Sequence, residues 1–171
     1  MTFLNDDTPL CIRDAEAHDG AAIAAIYNPF ILHSSISFEE QAVTAQEMTA
    51  RIAAVHAAAL PWLVATRGGV VLGYAYATRW RVRHAYRHSV ETSVYLAPEA
   101  AGSGTGSALY AALLERLRAA GCHLAIGGIA LPNPASIALH RKFGFEQVAH
   151  FKEVGLKFGE WRDVTYWQRI L

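Results

Sequence analysis

The chain predicts an α/β domain, a central mixed sheet with helices on both faces. Three observations carry that expectation. The 171 residues, 53% of them hydrophobic, suit one domain with a substantial core and leave no room for a second. Short apolar runs of strand length alternate with segments of helical period. No repeat, low-complexity tract or Pro/Gly-rich linker interrupts the alternation, so the elements are expected to share one sheet over residues 1–171.

In chain order, Leu10–Arg13 reads as the first strand. Asp19 to about Ile31 reads as a helix, with alanines and isoleucines at helical spacing and a bend at Pro29. Thr44 caps a second helix running to about Ala57, and Glu47, three residues on, completes a capping box. Trp62–Arg67 and Val70–Thr78 form a hairpin about Gly68-Gly69, because a tight turn of this hand needs positive φ at both central residues. Ser89–Leu96 is a central strand. Ser107–Ala120 is a helix with Leu109, Leu113 and Leu117 on one stripe and Gly121 just beyond its end. Leu124–Leu131 is a strand, Ser136–Phe143 a short helix, and the tail supplies two strands ending near Ile170.

Charge and cysteine usage exclude several classes. Fifteen basic and fifteen acidic residues cancel, so no global footprint for nucleic acid or an anionic membrane is present, and neither is expected as a partner. The apolar runs fall far short of a membrane span, and the stretch from Met1 to Pro9 is polar and acidic rather than a secretory leader. That stretch is expected to be flexible and the protein cytoplasmic. Cys11 and Cys122 stand far apart without a C-x-x-C, so neither a disulfide framework nor a metal site is indicated. Both are expected to be buried or strand-edge thiols.

The most informative segment runs from Val94 to Tyr110, VYLAPEAAGSGTGSALY: a strand, a proline turn, glycines 102, 104 and 106, and the start of a helix. Such a loop suits phosphate, because small residues let the backbone approach an anion and the first-turn N–H groups lack internal partners. A P-loop would close on a lysine, but Gly106 is followed by Ser107 and Ala108. A dinucleotide fold would need an acidic residue about 20 positions on, and none occurs between Glu115 and Glu146. The pyrophosphate of coenzyme A remains, beside the bland alternative of a turn that only connects two elements.

Two groups of side chains invite chemistry. Glu91 sits in the strand leading into the glycine loop, where a carboxylate is costly without a task or an ion-pair partner. It is a candidate general base. Arg79, Arg81, Arg83 and Arg87 cluster beside Trp80 and Tyr86. In a neutral protein they suit a bound carboxylate or phosphinate, or form a solvated loop of charges.

The downstream segment LPNPASIALHRKFGF (Leu131 to Phe145) widens the signal. Together with the glycine loop, Ala101-x-x-Gly104-x-Gly106 and Asn133-x-x-Ser136-x-x-x-His140-x-x-x-Gly144-Phe145 resemble the two motifs of the GNAT acyltransferase superfamily. Ala101 and Gly102 depart from the usual Gln/Arg and basic residue, and His140 from the usual tyrosine. IYNPFILHSSISFEE, GYAYATRWRVRHAYRHSVETSVYL and VGLKFGEWRDVTYWQ narrow the resemblance to the phosphinothricin and methionine sulfoximine N-acetyltransferases, over nearly the whole chain.

That resemblance implies a GNAT-type fold, acetyl-CoA as co-substrate, no metal, a small amino-acid-like amine and a homodimer. It implies Glu91 as general base, and His140 as the group that protonates or positions the leaving thiolate. On residues alone a lone histidine such as His140 is usually a helix-surface residue that packs or caps. Coenzyme contacts fall on Val94, Tyr95 and Leu96, on Gly102, Ser103, Gly104, Thr105, Gly106 and Ser107, and on Asn133, Ser136 and Lys142, the last also readable as solvated surface. Substrate contacts fall on Phe38, Arg81, Val82, Arg83, Thr92 and Ser93, with Phe38 equally an ordinary core phenylalanine. Trp161 and Trp167 are expected in the core or a subunit contact. The rival functions are acetylation of a protein N-terminus or another amine by the same fold, and a non-catalytic acyl-CoA sensor.

Overall fold

The computed structural model describes residues 8–171; most of the stretch expected to be flexible lies outside them. Its elements are β1 (Cys11–Asp14), α1 (Gly20–His33), α2 (Ala45–Ala57), β2 (Trp62–Arg67), β3 (Val70–Arg79), β4 (Ser89–Leu96), α3 (Thr105–Ala119), β5 (Leu124–Ala130), α4 (Pro134–Lys142), β6 (Glu146–Lys157) and β7 (Glu160–Ile170). The seven strands lie in the order β1-β2-β3-β4-β5-β7-β6. Every pairing is antiparallel except β4 with β5.

Local chemistry accounts for most boundaries. Thr44 Oγ1 accepts the Glu47 N–H at 3.1 Å while Glu47 accepts the Thr44 N–H at 2.7 Å, the reciprocal capping box expected at the start of α2. Gly68 and Gly69 turn the β2–β3 hairpin at φ 57° and 81°. Helix α1 continues through Pro29 to His33, two residues beyond the expected end. Helices α3 and α4 each begin two residues earlier than their periodicity indicates. Thr105 is polar and Pro134 cannot donate, so neither carries a helical signal, yet Pro at the first helical position loses nothing.

Alternation on the strands divides the core in two. Trp62, Val64 and Tyr74 face α1 and α2, packing with Ile23, Ile31, Met48 and Ile52. Leu63, Ala65, Ala75 and Ala77 face the other way, against Leu109, Leu113 and Leu117 of α3 and Phe145. Strand β2, buried from Trp62 to Thr66, therefore reads as a continuous apolar run rather than an alternating one. Cys11 is exposed at the start of edge strand β1 and Cys122 half-buried before β5, so both are strand-edge thiols and Cys11 is not buried. Trp167 belongs to the core, whereas Trp161 is exposed on the β6–β7 hairpin.

The feature that positions the site is the partial pairing of β4 with β5. They are in parallel register only from Ser89↔Leu124 to Glu91↔Ile126. Beyond that point the strands part, and β4 keeps its antiparallel ladder with β3 as far as Leu96.

Candidate active site

The parting of the strands leaves peptide groups facing a gap. Trp80 N–H donates to Ser89 C=O at 3.1 Å and Ala97 N–H to Leu72 C=O at 2.9 Å. These bonds set the phase of the β3–β4 ladder, so 91, 93 and 95 exchange hydrogen bonds with β3 while Thr92, Val94 and Leu96 turn their peptide groups toward β5. The Glu91↔Ile126 pairing engages the Thr92 N–H, and beyond it no β5 residue pairs with Val94 or Leu96. A groove of about 750 Å³ occupies the gap, walled by Thr92 to Pro98 on one side and Gly128 to Ala130 on the other, with Asn133, Ser136, Leu139 and Lys142 of the α4 region beside it.

The glycine loop closes one end of this groove. Gly104 is the residue before α3 and lies at φ 85°, a conformation that L side chains avoid. Gly104 has no side chain to cap the helix, and although the Thr105 N–H donates to Ser103 Oγ at 3.4 Å, the N–H groups of Gly106 and Ser107 face an incoming anion without an intrahelical partner. Gly102, Gly104, Gly106 and Ser107 line the groove. Ser103 and Thr105 take a supporting place instead: Ser103 Oγ donates to Ala100 C=O at 2.7 Å and lies 2.8 Å from Thr105 Oγ1, and Thr105 is fully buried. Asn133 Oδ1 caps α4 by accepting the Ser136 N–H at 3.1 Å, and Lys142 Nζ donates to Ser107 Oγ at 2.8 Å. The lysine thereby ties α4 to the glycine loop and puts a cation beside the helix N-terminus.

A second pocket of about 400 Å³ adjoins the first, sharing Ile36, Gly128 and Ala130 with it. Its remaining walls are Phe38, Phe151, Val154, Val164 and Tyr166, and its one ionisable carboxylate is Glu91. The missing side chain at Gly128 makes room: a Cβ there would stand 3.1 Å from Glu91 Oε1 and 3.2 Å from the Tyr166 ring. Burial raises the Glu91 carboxyl above the usual carboxylate range, opposed by the positive charge of Arg81. A base of raised pKa between an apolar pocket and a larger groove is suited to taking a proton.

His140 is buried rather than on the helix surface. Its Nδ1–H donates to the Ser136 carbonyl at 2.8 Å, so in the neutral ring Nε2 accepts the Tyr110 hydroxyl at 3.0 Å. Tyr110 Oη lies 2.8 Å from Thr92 Oγ1, which reaches the Ile126 carbonyl at 3.1 Å. When the ring is protonated the same chain runs the other way, from Nε2–H through both hydroxyls to Ile126 C=O. Gly127 permits the ring's position, since a Cβ there would fall 2.2 Å from Nε2. Burial lowers the His140 pKa, which keeps the ring neutral near neutrality.

Several expected substrate contacts fall elsewhere. Thr92 lies on the opposite side of β4 from Glu91, because adjacent strand residues face opposite ways, and it joins the Tyr110–His140 chain at the first groove. Ser93 also borders that groove and not the pocket around Glu91. Arg81 stacks 5.0 Å over Trp80, which meets Tyr166 edge-on at 5.5 Å, so it stands beside the pocket without lining it. Val82 and Arg83 are exposed and border neither pocket. Tyr110, Ile36 and Tyr166 escape a reading of the sequence; only the polar hydroxyl of Tyr110 beside the leucine stripe of α3 offers a signal.

Residues 12–166 match the acetyltransferase (GNAT) domain family. A phosphinothricin N-acetyltransferase of Alcaligenes faecalis is 44% identical over 94% of this chain and 82% of its own length. An L-methionine sulfoximine/L-methionine sulfone acetyltransferase of Salmonella typhimurium is 38% identical, covering 93% of each chain. The structure of a phosphinothricin acetyltransferase of the GNAT superfamily from Sinorhizobium meliloti, in complex with acetyl-CoA, superposes with a TM-score of 0.91 at 41% identity, over 95% of this chain and 88% of that one.

Proposed function

Since this chain belongs to the GNAT acetyltransferase family and transfers acetyl from acetyl-CoA to an amine, we propose that the amine is the α-amine of a small amino acid or analogue of the phosphinothricin, methionine sulfoximine or methionine sulfone type. The observation that carries this reading is the junction of the two pockets at Gly128 and Ala130, with Glu91 as the carboxylate on the smaller side. The apolar lining of that pocket suits a short uncharged side chain, and the Arg81 guanidinium beside it suits the carboxylate of a free amino acid.

Acetyl-CoA lies along the gap between β4 and β5, its pantetheine amides meeting the peptide groups of Val94 and Leu96 as an added strand would. Its pyrophosphate rests on the Gly102–Ser107 loop with Lys142 alongside. The ammonium of the amino acid gives a proton to Glu91, directly or through water. The free amine attacks the thioester carbonyl, the C–N bond forms, the C–S bond breaks, and the proton that the nitrogen sheds as it becomes an amide neutralises the departing thiolate. The neutral His140 ring, its Nδ1–H held by the Ser136 carbonyl, holds the path of that proton, and the Tyr110–Thr92 chain keeps the ring oriented. Positioning both substrates in one ternary complex supplies much of the acceleration.

A homodimer in the cytoplasm belongs to the same reading. Val148, Leu156, Phe158 and Trp161 are exposed along the β6–β7 hairpin, apolar surface that a second copy would bury. Thiol release from acetyl-CoA, measured against phosphinothricin, methionine sulfoximine, methionine sulfone, ordinary amino acids, polyamines and a peptide N-terminus, tests the substrate. Turnover confined to the free amino acids and analogues supports the reading; turnover only with polyamines or the peptide overturns it.

A further inference from the structure

Lys157 closes β6 and is 2% exposed, yet no step of the reaction uses it. A buried ammonium is costly unless its donors are satisfied. Here the donors go to two backbone carbonyls, Ile31 at 2.7 Å and Ser37 at 2.5 Å. Ile31 lies in the last turns of α1, where carbonyls lack helical partners and a cation is favoured. Ser37 lies in the connection between α1 and α2, between Ile36 and Phe38, and both of these neighbours wall the pocket around Glu91.

A second contact ties the same three residues to the same strand. Two positions before Lys157, Gly155 carries the Phe38 ring: a Cβ there would stand 2.4 Å from Phe38 Cε2. On its far side the segment is held by hydrogen bonds. Ser37 Oγ lies 2.7 Å from Tyr27 Oη, Tyr27 donates to Glu39 at 2.9 Å, and Arg51 grips both oxygens of Glu39 at 2.7 and 2.9 Å. The wall is thus anchored to α1 and α2 on one side and, through Lys157 and Gly155, to β6 on the other.

We propose that Lys157 is a positioning residue for amine selection: it fixes the Ile36–Phe38 wall against β6 and so sets how the amine's side chain seats beside Glu91, without touching it. The proposal rests on the pocket around Glu91 being the amine site. It explains why a lysine ends a strand position that an apolar residue would fill at lower cost. The acetyl-CoA groove, built mainly from β4, β5 and the starts of α3 and α4, meets this wall only at Ile36.

The test is steady-state kinetics of Lys157→Met and Gly155→Ala, with L-methionine sulfone, or the fastest amine of the panel, and acetyl-CoA varied in turn. Lys157→Met removes the ammonium and keeps the stem; Gly155→Ala dislodges Phe38 and leaves the lysine in place. The expected result is an amine KM raised about tenfold or more in both variants, with the acetyl-CoA KM within about twofold of wild type. An unchanged amine KM in either folded variant, or both KM values rising together, overturns the proposal. Should Lys157→Met fail to fold, Gly155→Ala decides alone. Glu91→Gln, run beside them, tests the underlying site: retained turnover there would refute the amine-site reading, whatever the Lys157 variant does to KM.

Discussion

The two pockets that meet at Gly128 are built on different principles. The coenzyme groove consists largely of backbone: the peptide groups of β4, the glycine loop and the open N-terminus of α3, contributed by a nearly continuous stretch from Thr92 to Ser107. The smaller pocket consists of side chains, drawn from residues 36, 38, 91, 130, 151, 154, 164 and 166 around the bare backbone of Gly128. A backbone cradle tolerates exchange of many side chains, provided its glycines and its strand gap survive. A pocket of side chains changes character with each substitution. The same acyl donor can therefore be kept while the amine varies, and perturbations of the two regions should separate in the kinetics.

The sharpest separation is expected from Glu91→Gln. Losing a general base should lower kcat by about 10²–10⁴-fold, with the KM for acetyl-CoA nearly unchanged; equal losses in both would erase the distinction between the pockets. The same change should raise thermal stability at neutral pH. A carboxyl whose folded pKa is raised contributes stability below its unfolded pKa and loses it as pH rises through the folded value, so ionised Glu91 is a cost that Gln removes. A melting curve at pH 7 checks the sign.

On the coenzyme side, Gly104→Val should weaken acetyl-CoA binding about tenfold or more, because a β-branched residue at φ 85° costs about 1–2 kcal/mol and deforms the loop. Calorimetric titration with acetyl-CoA measures it, and the amine KM should stay put. Tyr110→Phe removes the donor to His140 Nε2 while keeping the ring. We expect a several-fold fall in kcat and an altered pH profile, since the Tyr110–Thr92 chain can serve either protonation state of the ring and phenylalanine serves neither. A profile identical to wild type would show that the histidine's partners are irrelevant to the reaction. Arg81→Ala should raise the amine KM, because the guanidinium proposed to meet the amino acid's carboxylate is gone, and it should also move the pH profile. Arg81 lowers the Glu91 pKa, so its removal should move the acidic limb of kcat/KM to higher pH, and a shift to lower pH would contradict the assignment.

The same contrast separates the features that are legible in the sequence from those that are not. The capping box at Thr44, the Gly68-Gly69 turn and the leucine stripe of α3 are local, and each is legible because its physical cause lies within a few residues. The glycine loop is legible for that reason too. Glu91 stands out as a carboxylate in a strand, but the pocket around it depends on Gly128 leaving room and on Phe38, Val154 and Tyr166 meeting beside it, none of which is near it in sequence. Val82 and Arg83 illustrate the converse: a charge-rich run near the base resembles a substrate loop, yet in the folded chain its residues point to solvent. Thr92 follows Glu91 in the sequence and so suggests the amine site, although the strand pleat sends it to the other side.

By itself, then, the sequence determined an α/β chain with a glycine-rich strand-loop-helix at its centre, because dihedral preference, capping and periodicity act over short distances. Tertiary structure alone decided that β4 and β5 part after Glu91, that His140 is buried against Tyr110, and that a lysine 120 residues downstream holds Ser37 in place. Those features depend on which faces meet when the sheet closes, and no local preference encodes the meeting of residues so far apart.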